Sequence, residues 1–150
     1  MTATVLNDVH VPTRYKLAAM WTSVMFCFIY ADYFELYVPG KLQSMLAGKI
    51  LPLGEVTQGV LMGTGAMLAL PSLMILLCVI LKAPLCRWVN VAIGALYAAI
   101  QLAVISRGGW TFYVAFGALE AALLALIVLT ALKWPAAARA GASHDREALK

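Results

Sequence analysis

Charge is scarce in this chain. Only 12% of its 150 residues are Asp, Glu, Lys or Arg, where a water-soluble domain carries about a quarter. Histidine is scarcer still: His10 and His144 both lie in polar end segments. That excludes an axial-histidine haem or a histidine-held metal within the apolar part. No lysine sits in the middle of an apolar run, which excludes a retinal Schiff base. The three cysteines, Cys27, Cys78 and Cys86, form no CxxC pair, so no disulfide framework or thiol redox motif is expected. Each reads as a small buried hydrophobe. GxSxG, HExxH and a phosphate-binding glycine loop are all missing, and GTGAM at 63–67 is a packing motif. Two carboxylates alone could do acid–base work, but no nucleophile accompanies them. The expectation is a protein that is not an enzyme, with no catalytic residue, no metal and no cofactor.

What the chain does have is hydrocarbon. Hydrophobic residues make up 63% of it and mean hydropathy is +0.88, which points to a membrane protein whose first partner is the lipid bilayer. Four apolar runs stand out, at about 17–38, 56–81, 88–105 and 110–132. Each approaches the roughly 20 residues that a helix needs to cross the hydrocarbon core. None alternates as a barrel strand would, so the expected fold is all-α, an integral-membrane four-helix bundle over 16–135. Residues 1–15 read as a cytoplasmic arm and 136–150 as a disordered cytoplasmic tail. The first run is too long for a signal-peptide core and is expected to stay uncleaved.

The pI near 9.1 and net charge of +4 do not indicate nucleic acid, because the basic residues flank the runs instead of clustering. They report orientation. The side bearing both termini and the second loop carries Arg14, Lys16, Lys82, Arg87, Lys133, Arg139, Arg146 and Lys150; the other side carries Lys41, Lys49 and Arg107. The positive-inside rule then puts both termini in the cytoplasm. Trp21, Trp88, Trp110 and Trp134 fall near run ends and read as interfacial anchors. In the first outer loop Leu42, Met45, Leu46 and Ile50 recur at helical spacing. Two readings are open: a short amphipathic helix lying as a lid over the outer mouth, or a greasy loop held on the membrane.

Helices in lipid meet through small residues and polar contacts. Gly117, Ala121 and Ala125 in the fourth run, Gly94 and Ala98 in the third, and Gly59, Gly63, Gly65, Ala66 and Ala69 in the second supply such stripes. They fit close packing within the chain or a homo-oligomer face. Pro71 removes a backbone donor and is expected to kink the second run near Met67. The carbonyl it frees is available either to Ser72 or to a ligand.

Against this background the acids are conspicuous. FIYADYFELYVPGKL, at 28–42, carries Asp32 and Glu35 three residues apart on one helix face. From the helix rise, Glu35 lies only about 4–5 Å and Asp32 about 9 Å inside the outer end. Glu120 is deeper, about 15 Å from Trp110 and near the midplane, where a carboxylate costs on the order of 2.5–3.5 kcal/mol even on a lenient scale. Gln58 and Gln101 sit within about 6 Å of the outer surface, and Tyr97 and Tyr113 are nearby in sequence terms, so the polar groups gather in the outer half. The inner half reads as almost purely apolar. Glu120 is then either an interhelical hydrogen-bond tie or a ligand or proton site.

Four segments together resemble an uncharacterised family of small bacterial four-span membrane proteins, a domain of unknown function: FIYADYFELYVPGKL, TQGVLMGTGAMLALPSLMILL, LCRWVNVAIGALY and FYVAFGALEAALLALIVLTALKWP. The resemblance covers about 17–135. It implies a four-span topology and a bacterial inner membrane, and it marks Asp32, Gln58, Asn90 and Glu120 as family-type positions. Members often carry a Glu just before the second-span proline, where this chain has Leu70. The resemblance implies no activity.

The functional expectation is a small-molecule ligand bound, and moved in a proton-linked manner, at an outer-half polar pocket. Glu120 is the carrier acid or cation contact there, Asp32 tunes it, and Gln58, Gln101 and Tyr97 orient the ligand, with Glu35 and Tyr113 secondary. The alternative is a non-catalytic accessory or assembly subunit of a membrane complex, or a homo-oligomer, whose acids only fix helix register.

Overall fold

Prolines and glycines set the ends of the helices. A computed structural model of the chain describes residues 10–50 and 54–135, so most of the N-terminal arm and the tail from Ala136 lie outside the described residues. Pro12 caps the first helix, α1 (Thr13–Glu35), its carbonyl accepting from the Tyr15 and Lys16 amides. Helix α1 ends at Glu35 and not at Val38. Pro39 disfavours the α conformation at the residue before it, and Leu36, Tyr37 and Val38 tighten into i→i−3 bonds to Tyr33, Phe34 and Glu35. Gly40, at φ 82°, then turns the chain into a short helix, α2 (Lys41–Leu46). A two-residue antiparallel pair, β1 (Lys49–Ile50) and β2 (Gly54–Glu55), closes the loop. The pair was not foreseen, because strands this short leave no alternation to read.

Helix α3 (Gln58–Ile80) starts at Thr57, whose hydroxyl accepts from the Val60 amide at 3.2 Å. Helix α4 (Ala83–Ile105) begins earlier than the apolar run at Trp88, because Pro84 suits a first helical turn. Hydropathy breaks at Lys82 and Arg87; the backbone does not. Helix α5 (Thr111–Leu132) follows a turn through Gly108 and Gly109. The four long helices have 22–23 residues each and are apolar enough to cross a membrane. At 1.5 Å per residue they reach about 33–35 Å, enough for a hydrocarbon core of about 30 Å. The protein is an all-α membrane bundle, and α2 is the short helix in its first loop.

Both chain ends of the bundle, the α3–α4 turn and the C-terminus of α5 lie at one end, here called the base. Two arginines close it. Arg14 donates to the last carbonyls of α3, at Val79 (3.0 Å) and Leu81, and Arg87 donates to Leu132 at the end of α5 (2.9 Å). Cations placed there also complement the negative ends of the helix dipoles.

Helix α1 packs between α3 and α5, and α5 packs most extensively on α4. The consecutive pair α3 and α4 touch little and diverge from their short turn. Glycine sets the α4–α5 distance. A Cβ at Gly94 would lie 2.9 Å from Val128 Cγ2, and one at Gly117 would lie 2.3 Å from Ile105 Cγ2. The α3 stripe behaves differently: Gly63 and Gly65 have nothing within 4 Å, and Gly59 meets only Thr57. Those glycines bring no helix of this chain close.

The packed core lies in the base half and includes Leu17, Val24, Met74, Leu124 and Ile127. It also holds a polar cluster, so the expectation of an almost purely apolar inner half is corrected. Asn90 is fully buried. Its Oδ1 accepts from Trp21 Nε1 at 2.8 Å and from Cys78 Sγ at 3.4 Å, and its Nδ2 donates to the Cys86 carbonyl at 2.8 Å. Trp21 is likewise no interfacial anchor but a fully buried donor. Trp88 and Trp110 are exposed, at 61% and 58%, as anchors should be. Cys78 and Cys86 are buried and free, as expected, but they also hydrogen-bond around Asn90 instead of serving only as filler, and Cys27 departs from the expectation in being only half-buried.

Two outcomes follow for unfolding in mixed micelles titrated with SDS. Asn90→Leu strands the Trp21 N–H and should cost about 1–3 kcal/mol. In the cycle with Trp21→Phe the coupling should be about 0.6–1.7 kcal/mol, the range for hydrogen bonds in membranes; strictly additive costs would contradict the pairing. Gly117→Ala should cost about 1–3 kcal/mol through overpacking, whereas Gly63→Ala, with open space around it, should not destabilise and should gain up to about 1 kcal/mol of helix propensity.

Candidate functional site

Pro71 explains the upper part of the molecule. It lacks the N–H that would bond the carbonyl four residues back, at Met67. The Tyr97 hydroxyl of α4 donates to that carbonyl at 2.5 Å. The freed acceptor is therefore engaged by Tyr97 and not by Ser72, whose hydroxyl donates to Leu68. Below this point α3 is packed, with Pro71, Met74 and Cys78 buried; above it no residue of α3 is buried.

Where α3 and α4 separate, a half-open cavity of about 220 Å³ remains. Helix α1 contributes Phe28, Ala31 and Asp32; α3 contributes Thr64, Met67 and Leu68; α4 contributes Tyr97, Ile100, Gln101 and Val104; α5 contributes Tyr113 and Glu120. The structure thus brings Asp32, Glu120, Gln101, Tyr97 and Tyr113 to one cavity. Glu35 and Gln58 do not line it. Glu35 instead pairs with Lys41 at 2.7 Å, a contact worth about 0–1 kcal/mol at such a surface. Gln58 is exposed at the head of α3. Helix α2 contributes no lining residue either, so it is no lid over this cavity; Leu42, Met45 and Leu46 are exposed and free to lie on a bilayer surface.

Glu120 is 2% exposed, and its Oε1 has no hydrogen-bond partner among the described residues. Asp32 is exposed and lines the same cavity as Glu120. Gln101 is 9% exposed and packs its Nε2 against Gly117, where an added Cβ would come within 2.8 Å. Thr64 turns its hydroxyl back onto the carbonyls of Val60 and Leu61, at 3.0 and 3.1 Å. Tyr97 spends its proton on Met67 and offers the cavity its ring and an acceptor oxygen. The apolar walls, Met67, Leu68, Ile100 and Val104, were missed in the sequence because nothing distinguishes a cavity-facing Leu from a lipid-facing one there. Asn90 was marked only through the family-type pattern. A physical signal for it existed, since Cys86, Asn90, Gly94, Tyr97 and Gln101 repeat at helical spacing along the buried face of α4.

The fold and cavity define a class, a four-helix membrane protein with a buried carboxyl lining an apolar-walled cavity. A family model described as a family of unknown function, DUF6326, matches residues 6–141, and the chain belongs to that family. No curated protein and no solved structure matches it.

Tyr97→Phe tests the latch to Met67. It leaves a backbone carbonyl without its donor and should cost about 1–3 kcal/mol. Amide exchange in α3 should rise between Gln58 and Met67 and stay unchanged between Met74 and Ile80, as read by hydrogen-exchange mass spectrometry.

Proposed function

We propose that the protein binds a small solute in this cavity and moves it in a proton-linked manner. One observation carries the reading: the Glu120 carboxyl is nearly inaccessible, yet one of its oxygens is unpartnered beside a cavity. A carboxylate this deep in a bilayer costs on the order of 2.5–3.5 kcal/mol. A structural tie would offset that cost with hydrogen bonds on both oxygens, and Oε1 has none. Glu120 then serves as carrier acid, Asp32 tunes it through its charge, Gln101 orients the solute and Tyr97 shapes the floor.

The same proposal places the base in the cytoplasm of a bacterial cell and the cavity toward the outside of its inner membrane. Arg14, Lys16, Lys82, Arg87 and Lys133 gather at the base, against Lys41, Lys49 and Arg107 at the far end.

A second reading, an accessory or assembly subunit or a homo-oligomer, has its own support. No residue in the upper half of α3 is fully buried, and its glycines meet no side chain of another helix among the described residues. Small-residue faces of that kind let a neighbouring membrane helix approach closely.

Glu120→Gln and Asp32→Asn separate the two, with melting temperature in detergent measured across pH and against a solute panel. The ionisable side chains that share the cavity with Glu120 are Asp32 on α1, Tyr97 on α4 and Tyr113 on α5. Under the solute reading both variants fold, and the solute-induced rise in melting temperature and its pH dependence shrink or vanish. Two variants with the parent's stability, pH response and solute response would end this reading.

A further inference from the structure

The lining chemistry also indicates what kind of solute the cavity takes, an inference that rests on the solute-site reading above. We propose that it is a small protonated primary or secondary amine carrying an apolar group. Glu120 is 2% exposed and lines the cavity, its Oε1 has no hydrogen-bond partner among the described residues, and an ammonium N–H donates to such a carboxylate with charge assistance. A second carboxylate, Asp32, faces the same space, and no Lys, Arg or His lines it. The nearest loop cation, Lys41, is held by Glu35 at 2.7 Å. An anionic solute would meet two carboxylates and no compensating charge.

A bare metal ion fits poorly for a different reason. Calcium asks for six to eight oxygen ligands, and among the described residues no three His, Cys, Asp or Glu side chains converge. The remaining walls are hydrocarbon and ring faces, with Phe28, Tyr97 and Tyr113 supplying the rings. Ring faces attract a desolvated cation, and Met67, Leu68 and Ile100 accept its apolar portion. The cavity opens where α3 and α4 diverge. An amphipathic amine dissolved among lipid headgroups can therefore reach it with its charged end toward Glu120.

The test is calorimetric titration of the full chain in nanodiscs with three probes of one shape: benzylammonium, neutral benzyl alcohol and anionic benzoate. Empty nanodiscs correct for partition into lipid. Benzylammonium should bind saturably and at least tenfold more tightly than benzyl alcohol, and benzoate should not bind. Glu120→Gln should weaken benzylammonium at least tenfold and leave benzyl alcohol within about threefold. Asp32→Asn, at an exposed position, should weaken benzylammonium by a smaller factor, and it carries the test if Glu120→Gln does not fold. If benzyl alcohol or benzoate binds as tightly as benzylammonium and that binding responds to either variant, the amine is wrong while the solute site stands. If no probe distinguishes the parent from either variant, both the amine and the site are overturned.

Discussion

A single buried amide ties three of the four helices together. Asn90 accepts from Trp21 of α1 and Cys78 of α3 through one atom, and donates to the carbonyl and thiol of Cys86 through the other. An amide has two acceptor sites and two donor hydrogens, and all four are engaged. This matters more in lipid than it would in water. Apolar helices gain nothing by leaving lipid for one another, so shape and satisfied polar contacts decide which faces meet. Gly94, one turn beyond Asn90, then admits Val128 and Ile127 of α5 to close range. With the base joined in this way, Arg14 and Arg87 close its exposed carbonyls.

The cavity follows from where that joining stops. Pro71 deprives Met67 of its helical donor, and Tyr97 supplies a replacement from α4. That bond is a hydrogen-bonded tie between α3 and α4 above the core, and past it α3 has no buried residue. Two helices that diverge from a short turn leave space against whatever stands behind them. Here α1 and α5 stand behind, carrying Asp32 and Glu120. The proline, the tyrosine and the two acids are thus parts of one arrangement, although they lie on four different helices.

The helical content of this chain was open to reading from sequence because lipid imposes it: backbone in a bilayer core must satisfy itself, and four apolar runs leave only helices. The helix ends were less legible. Hydropathy marks where charge begins, while Pro12, Pro39 and Pro84 mark where the backbone turns, and at α1 and α4 the two disagree. Trp21 misled for a related reason, since its position near a run end suits an anchor and only its partner, Asn90 on another helix, reveals a buried donor. Of the candidate site, the polar members stood out because polar residues are costly in lipid, and Asp32, Gln101, Tyr97, Tyr113 and Glu120 do line one cavity. Gln58 does not line it, because it stands exposed at the first position of α3, beyond Thr64 where the α3 lining begins. The packing of Gly117 and the lack of packing at Gly63 were equally hidden: both are glycines in apolar runs, and what each faces depends on helices elsewhere in the chain.

Asn90 and Glu120 form an internal comparison. Both are polar, both are almost or fully buried, and both stand on a helix that would lie in lipid. If the only task of a polar group here were to fix helix register, Asn90 displays the arrangement that task selects: packed on every side, each hydrogen-bonding position engaged. Glu120 departs from it on each count. It borders a cavity instead of a packed wall, its Oε1 is left without a donor among the described residues, and the other carboxyl lining that cavity belongs to a second acid, Asp32. A group arranged so stabilises the fold less than a leucine of similar size would. Bearing that cost is reasonable for a group whose partner arrives from outside the chain, and it is this contrast with Asn90, more than the presence of an acid in a span, that supports a binding role for Glu120.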